Sequence, residues 1–176
     1  LPWLNTLARQ YAVSDRWFCS VPSQTNPNRA YSLCGTSLGR ESNLNLLAVE
    51  QFDVPTIFNR LHEAGKSLGL YWTDTWQQGK SYTAYTFPQI GRTPFLNGNL
   101  AQFFAQAKSG TLPAFSYIEP QWGYGKGTLF KQGTDLHPPT HVTPGDKFVG
   151  DIYTAVRSSP NWSKTLLVIT FDEHGG

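Results

Sequence analysis

The chain has 176 residues, of which 39% are hydrophobic and 15% are charged, with a formal net charge of +2. This length suits one domain with a substantial core, and the weak net charge argues against a nucleic-acid partner. No stretch approaches the roughly 18 consecutive apolar residues of a membrane span, and the residues given contain no signal peptide. A surface richer in Gln, Asn, Ser and Thr than in charges is common outside the cytoplasm, so we expect a secreted or periplasmic protein.

Strands and helices alternate along the sequence. Apolar spacing predicts an amphipathic helix at residues 1–12, and an apolar stretch at 16–20 predicts a strand. The other predicted elements, in chain order, are a helix at 27–34, a helix at 53–65, a strand at 67–72, a helix at 99–110, a strand at 113–118, a helix from 143 to about 157 and a strand at 166–171. This alternation predicts an α/β fold with a mostly parallel sheet sandwiched between helices.

Two long stretches carry no regular pattern. The Gly/Pro-rich segment from Glu119 to His141 is long for a loop in a compact domain, and loops of that length are usually functional or disordered. Glu119 itself, at the end of a predicted strand, has two equally weighted interpretations, a catalytic carboxylate or a loop cap. The second stretch, 73–98, and the residue before it are rich in aromatic side chains that could line a lipid or head-group pocket or could simply pack beneath a loop: Trp72, Trp76, Tyr82, Tyr85 and Phe87.

The predicted strand Leu166–Phe171 runs directly into Asp172, Glu173 and His174. Its β-branched, apolar character is typical of a central strand in a parallel sheet, and ligands of open α/β sheets bind outside the carboxyl ends of such strands. Adjacent carboxylates there would repel each other unless a cation shares them. The alternative is that Asp172 caps a helix and that Gly175-Gly176 forms a turn.

A second motif, residues 24–29, lies between an apolar stretch and a helix. Asn26 is suited to cap this helix and Pro27 to occupy its first position, and Gly35 is suited to end it. Thr25 would then lie at a helix N-terminus, which favours a phosphate or other oxyanion. Its hydroxyl could act as a nucleophile if a metal or base activates it, with Arg29 one turn further on. The alternative is an ordinary capped helix start.

The sequence resembles the phosphoesterase family that contains bacterial phospholipases C, plant non-specific phospholipases C and related acid phosphatases. The resemblance is carried by three segments, 14–22, 25–37 and 166–176, with further similarity at 135–139 and 158–163. It implies that residues 1–176 are part of a single phosphoesterase catalytic domain. The layout is also similar to the wider alkaline-phosphatase-like group, in which a nucleophile lies at a helix N-terminus and metal ligands come from neighbouring strand ends.

The resemblance assigns roles to four residues near the reacting phosphate. Thr25 becomes the nucleophile that takes the phosphoryl group, and His137 would face the phosphate or the leaving group. Asn28 and Arg29 would support the nucleophile turn and bind substrate. Threonine cannot undergo the conversion to an aldehyde hydrate that sulfatases of the wider group require of a cysteine, which favours phosphate esters as substrates.

The resemblance also assigns Asp172 and Glu173 as ligands of one or more divalent metal ions. Two elements of the family pattern are absent from this sequence. A Glu-Asn pair normally lies upstream of Leu1, and an Asp-His pair normally follows the Gly-Gly at 175–176. We therefore expect an incomplete metal shell and a sequence that is an internal part of a longer catalytic domain.

These expectations combine into a metal-dependent hydrolase of phosphoric esters, phospholipase C-like, that works through a covalent phosphothreonine intermediate. An acid phosphatase acting on phosphomonoesters is the close alternative, because the nucleophile and metal are the same and only the pocket for the second ester substituent differs. A non-catalytic binding or scaffold fragment is the third. The expected partner is a phosphate ester such as a phospholipid, and peripheral contact with a membrane is compatible with that.

Overall fold

A three-stranded parallel sheet organises the fold. The computed structural model describes residues 1–43, 51–73, 78–123 and 133–174. Its strands are β1 (Leu68–Trp72), β2 (Leu96–Asn99) and β3 (Phe115–Ile118), in the order β2-β1-β3. Both neighbours run parallel to β1, and this arrangement confirms the predicted α/β fold with a parallel sheet.

Helices connect and cover these strands. The α-helices of the described residues are α1 (Pro2–Gln10), α2 (Thr25–Cys34), α3 (Ile57–Glu63), α4 (Tyr82–Thr86), α5 (Leu100–Ser109) and α6 (Thr143–Arg157). Two short 3₁₀ turns, Pro88–Arg92 and Trp162–Lys164, complete the regular elements. The helices predicted at 1–12, 53–65 and 99–110 are thus confirmed with bounds a few residues shorter, the helix at 143–157 with the predicted bounds, and the helix at 27–34 with an earlier start. The strands at 67–72 and 113–118 are confirmed as well, slightly shorter than predicted.

The sheet is covered on both faces, as the alternation of side chains along β1 requires. Leu68 and Leu70 belong to one buried cluster, which α2, α3 and α4 complete with Ala30, Leu33, Phe58 and Ala84. Tyr71 points to the opposite face and belongs to a second cluster, which α5 and α6 complete with Phe103, Ile152 and Val156. The predicted sandwich of a sheet between helices is therefore confirmed.

Tyr71 explains why two glycines lie within the strands. A Cβ on Gly69 would be 2.9 Å from the Tyr71 ring. Gly98 is the residue on β2 that pairs with Tyr71, and a Cβ there would be 3.0 Å from the same ring. The ring therefore fills the space that side chains would take at both positions. Its hydroxyl donates a hydrogen bond of 2.5 Å to Oε1 of Gln106 on α5.

The predicted strand at 166–171 is wrong: this segment has no regular secondary structure and pairs with no strand of the described chain. Leu166 is 86% exposed and Val168 is 67% exposed, while Leu167 packs against the second cluster. An apolar β-branched run becomes a strand only where another strand supplies hydrogen-bond partners for its backbone. Among the described residues no such partner lies beside it.

The stretch 16–20 is likewise not a strand, and Trp17 and Phe18 are exposed there. Conversely, the stretch 73–98 contains α4 and begins β2, neither of which the sequence pattern predicted. The residues of β2, Leu96-Asn97-Gly98-Asn99, have weak strand propensity and form a strand because β1 pairs with them.

Trp76, residues 124–132 of the long loop and Gly175-Gly176 lie outside the described residues. In the described part of the chain, no helix has the length and apolar character that crossing a membrane requires.

A buried carboxylate joins helices α1 and α6. Asp146, in the first turn of α6, accepts hydrogen bonds from the backbone N–H groups of Trp3 (3.0 Å) and Leu4 (2.9 Å) at the start of α1. It therefore satisfies two of the N–H groups that a helix leaves without partners at its N-terminus. One turn along α6, the absence of a side chain at Gly150 lets the Trp3 ring approach closely, because a Cβ there would be 2.4 Å from the ring.

We predict that Gly150→Ala lowers the free energy of unfolding by about 1–3 kcal/mol, the usual cost of overpacking a close contact. In an open helix the same change would instead stabilise by up to about 1 kcal/mol, so the sign of the effect reports the contact with Trp3. Gly91→Ala is the matched control, since nothing lies within 4 Å of a Cβ at that position. Urea denaturation measures both variants, and a Gly150→Ala protein as stable as the parent would contradict this packing.

Candidate active site

The helix that carries Thr25 begins earlier than predicted. Thr25 is the first residue of α2 and Gln24 is its N-cap, so Asn26 and Pro27 lie inside the first turn rather than at the cap and first position. The cause is a long-range contact, because the N–H of Asn26 donates to Oδ1 of Asn43 (2.8 Å). The predicted end of the helix is confirmed, with Gly35 in the left-handed conformation at φ 72°.

The Thr25 side chain is partly exposed at this helix N-terminus. Its hydroxyl makes no hydrogen bond to any described residue, and so none to His137, Asp172 or Glu173. The N-terminal end of a helix carries a partial positive charge that favours an oxyanion. Thr25 thus combines an available hydroxyl with an environment suited to a phosphate.

Asn28 holds the loop that leads to Thr25. Its Oδ1 accepts from the N–H of Val21 (2.8 Å), and its Nδ2 donates to the carbonyl oxygens of Val21 (2.9 Å), Ser23 (3.1 Å) and Gln24 (3.1 Å). The side chain is buried, so these bonds replace contacts with water. A single amide therefore fixes the path of residues 21–24. In addition, the N–H of Asn43 donates to Oε1 of Gln24 (2.7 Å).

Arg29, one helical turn after Thr25, is buried and faces the protein interior. Its guanidinium carbon lies 5.2 Å, 5.9 Å and 5.0 Å from the ring centres of Tyr82, Phe87 and Trp122. Nη2 donates to Oγ1 of Thr83 at 2.5 Å and reaches the Tyr117 hydroxyl at 3.4 Å. Nη1 has no hydrogen-bond partner in the described part of the chain, so the faces of the rings supply part of its electrostatic stabilisation.

Arg29 remains charged in this position. Burial by itself would lower the pKa of Arg29, but the nearby Tyr117 and Glu119 outweigh that effect and raise it above its ordinary value. Burial also raises the pKa of Tyr82, which keeps its hydroxyl protonated as a donor. Every described contact of Arg29 is with protein, so the contact with substrate that the sequence suggested stays a prediction.

Glu119 is the residue whose role the sequence left open, and the structure gives it a capping role. The side chain is 1% exposed and follows β3 directly. Its Oε1 accepts from the N–H of Tyr82 (3.0 Å) and from Nε1 of Trp122 (2.9 Å), and Oε2 accepts from the N–H of Thr83 (2.8 Å). These partners lie up to 37 residues away along the chain, and no local sequence signal could have identified them.

Two of the aromatic residues singled out in the sequence, Tyr82 and Phe87, therefore pack around Arg29. Phe87 is fully buried and also stacks on Phe52, with ring centres 5.5 Å apart. Tyr82 is tilted against Trp122, with ring centres 4.9 Å apart. For these residues, packing beneath a loop is the interpretation that the structure supports.

His137 lies on the loop that precedes α6 and is far from Thr25 in the sequence. Its Nδ1 is 2.5 Å from the carbonyl oxygen of Pro138, and its own carbonyl accepts a hydrogen bond from the Thr140 hydroxyl. The side chain is partly exposed. The role of His137 at the phosphate or the leaving group stays a prediction.

The predicted metal ligands Asp172 and Glu173 follow segment 166–171 and are partly exposed. Within residues 1–43, 51–73, 78–123 and 133–174, no group of three or more His, Cys, Asp or Glu side chains could hold a metal ion. Carboxylates are suitable ligands for hard divalent cations, but these two do not make a complete site. The role of Asp172 and Glu173 as metal ligands stays a prediction.

The two cysteines on either side of the Thr25 turn, Cys19 and Cys34, are free thiols. Burial raises the pKa of Cys34 to about 11. At neutral pH this thiol is protonated and is a weak nucleophile. Cys34 is consequently a poor candidate for a nucleophile.

Comparison with known proteins identifies the family of this chain. The model of the Phosphoesterase family matches residues 1–176. Non-specific phospholipase C4 of Arabidopsis thaliana is 38% identical over 182 residues, an alignment that covers 100% of this chain and 32% of that protein. Non-specific phospholipase C5 of the same plant is 37% identical over 180 residues, covering 100% and 33%.

Bacterial proteins match as well. Phospholipase C B of Mycobacterium tuberculosis is 27% identical over 203 residues, which cover 100% of this chain and 36% of that protein. The chain thus spans about a third of the length of the relatives it matches. Because the family model matches every residue from the first to the last, the chain belongs to the Phosphoesterase family.

Proposed function

We propose that the protein hydrolyses phosphoric esters in the manner of a phospholipase C and that Thr25 is its nucleophile. The observation that carries this proposal is the Thr25 hydroxyl, partly exposed at the N-terminus of α2 and without a hydrogen bond to any described residue. The relatives that bear the name phospholipase C support the choice of reaction. A phospholipid is accordingly the proposed substrate.

The reaction would proceed in two displacements. Oγ1 of Thr25 attacks the phosphorus atom and gives up its proton, the bond from phosphorus to the leaving oxygen breaks, and that oxygen takes up a proton to leave as an alcohol. Water then attacks the phosphothreonine, the bond between Oγ1 and phosphorus breaks, and the threonine hydroxyl is restored. With a phospholipid the products would be a diacylglycerol and a phosphorylated head group.

Several residues of this chain would assist these steps. The positive end of the α2 dipole would face the phosphate oxygens, where negative charge accumulates in the transition state, although the N–H of Asn26 is bonded to Asn43 and Pro27 has no N–H. Asn28 would keep the loop 21–24 in one conformation through its four hydrogen bonds. His137 would donate the proton to the leaving oxygen, the ordinary role of an imidazole near neutral pH.

We also propose that Asp172 and Glu173 contribute to a divalent metal site that needs further ligands. A bound metal ion would lower the pKa of the nucleophile and neutralise charge on the phosphoryl group. An acid phosphatase that acts on phosphomonoesters is the second candidate function, because the same nucleophile would serve it. Relative rates on phosphatidylcholine and p-nitrophenyl phosphate across pH distinguish the two, whereas a binding or scaffold protein would hydrolyse neither.

Thr25→Ala in the full-length protein is expected to reduce turnover by several orders of magnitude, since loss of a nucleophile removes the covalent route. Thr25→Ser keeps a hydroxyl at the same place and should retain measurable activity. Phosphatidylcholine hydrolysis and a phosphoprotein trap by rapid acid quench measure both variants. Activity of Thr25→Ala within tenfold of the parent would refute the assignment.

Asp172→Asn is expected to lower bound divalent metal and activity together, because one of the few anionic ligands loses its charge. Asp151→Asn is the control, since that exposed carboxylate pairs only with Lys147 on the surface of α6. Elemental analysis of the purified proteins gives the metal content directly. Stoichiometric metal retained by Asp172→Asn would place this residue outside the metal site.

A further inference from the structure

Glu119 is connected to the first turn of α2 through α4. Its two oxygens accept from the N–H groups of Tyr82 and Thr83, which are the first two residues of that short helix. The side chains of these same two residues continue toward α2. The Tyr82 hydroxyl donates to Oδ1 of Asn26 (2.5 Å), and Oγ1 of Thr83 accepts from Arg29 (2.5 Å).

These contacts reach α2 within one helical turn after Thr25. Asn26 follows Thr25 directly and Arg29 lies four residues beyond it, so both contacts hold the turn that begins with the nucleophile position. Glu119 also accepts from the indole N–H of Trp122, whose ring packs on the Arg29 guanidinium. The buried Glu119 carboxylate thus orients Tyr82, Thr83 and Trp122, the residues that contact Asn26 or Arg29 of α2.

The buried charges explain why this arrangement is rigid. Arg29 and Glu119 are 5% and 1% exposed, and neither ion can leave the interior or lose its partners without a large desolvation cost. Helix α4 has only five residues and would not be stable by itself. Its position, and with it that of Tyr82 and Thr83, therefore depends on Glu119.

We propose that Glu119 is a positioning residue for the Thr25 nucleophile, acting through Tyr82 and Thr83 on the first turn of α2. Only the catalytic part of this inference rests on the proposed function. The mechanical part, that Glu119 holds the first turn of α2 in place, stands on the contacts alone. Displacement of a reacting group by about 1 Å can cost on the order of a hundredfold in rate, so the effect should appear in kcat rather than in KM.

The test compares Glu119→Gln with Asp146→Asn in the full-length protein. Asp146 is a matched control, because it is equally buried and also accepts from two successive backbone N–H groups, but those belong to α1. We expect Glu119→Gln to lower kcat about ten- to hundredfold with KM changed less than threefold. Asp146→Asn should leave kcat within about twofold at a temperature where both variants are folded.

Amide hydrogen exchange supplies a readout that does not depend on catalysis. Peptides that cover the first turn of α2 should exchange faster in Glu119→Gln than in the parent or in Asp146→Asn. Unchanged exchange there, or an equal loss of kcat in the two variants, would overturn the inference. Failure of the proposed function looks different, because Thr25→Ala would then remain active.

Tyr82→Phe keeps the inference falsifiable if Glu119→Gln does not fold. This change removes only the hydroxyl that bonds to Asn26 and leaves the backbone N–H bound to Glu119. We expect a three- to tenfold lower kcat, since the first turn of α2 loses its contact with the Tyr82 hydroxyl. A kcat equal to that of the parent would overturn the route through Tyr82.

Discussion

A charged guanidinium inside the protein determines much of the structure around it. Arg29 can be buried only where its positive charge meets compensating groups, and here these come from two distant segments, 82–87 and 117–122. The rings of Tyr82, Phe87 and Trp122 and the hydroxyl oxygens of Thr83 and Tyr117 all surround the same cation. The position of α2 relative to the sheet follows from that requirement more than from its own weak helix propensity.

Local capping chemistry was the part of the fold that the sequence predicted well. Helix α5 shows why: Asn99 and Gln102 form a capping box at its start, and Gly110 adopts φ 71° at its end, all within twelve residues. At α2 the same reasoning misplaced the start by two residues. There the acceptor for a first-turn N–H is Asn43, seventeen residues from Asn26, and no rule based on neighbouring residues includes such a contact.

Strands were predicted less well, since a strand is a property of a pair. The apolar segment 166–171 has the higher strand propensity, yet it lacks a partner among the described residues, while the polar segment 96–99 pairs with β1 along its full length. For the candidate site the division is similar. The sequence identified Thr25 and Asn28, whose surroundings are local, but left Glu119 undecided, because its partners come from another part of the chain.

The contact between Asp146 and the start of α1 has a consequence for the order in which the protein folds. Its two hydrogen bonds join residues 143 and 142 positions apart, and α1 has no side-chain cap of its own. A nine-residue helix is marginal in isolation, so α1 is fully stabilised only after α6 has been synthesised and docked. Helix α1 thus leaves the ribosome well before its partner α6 and becomes ordered late, as the cost of closing so long a loop requires.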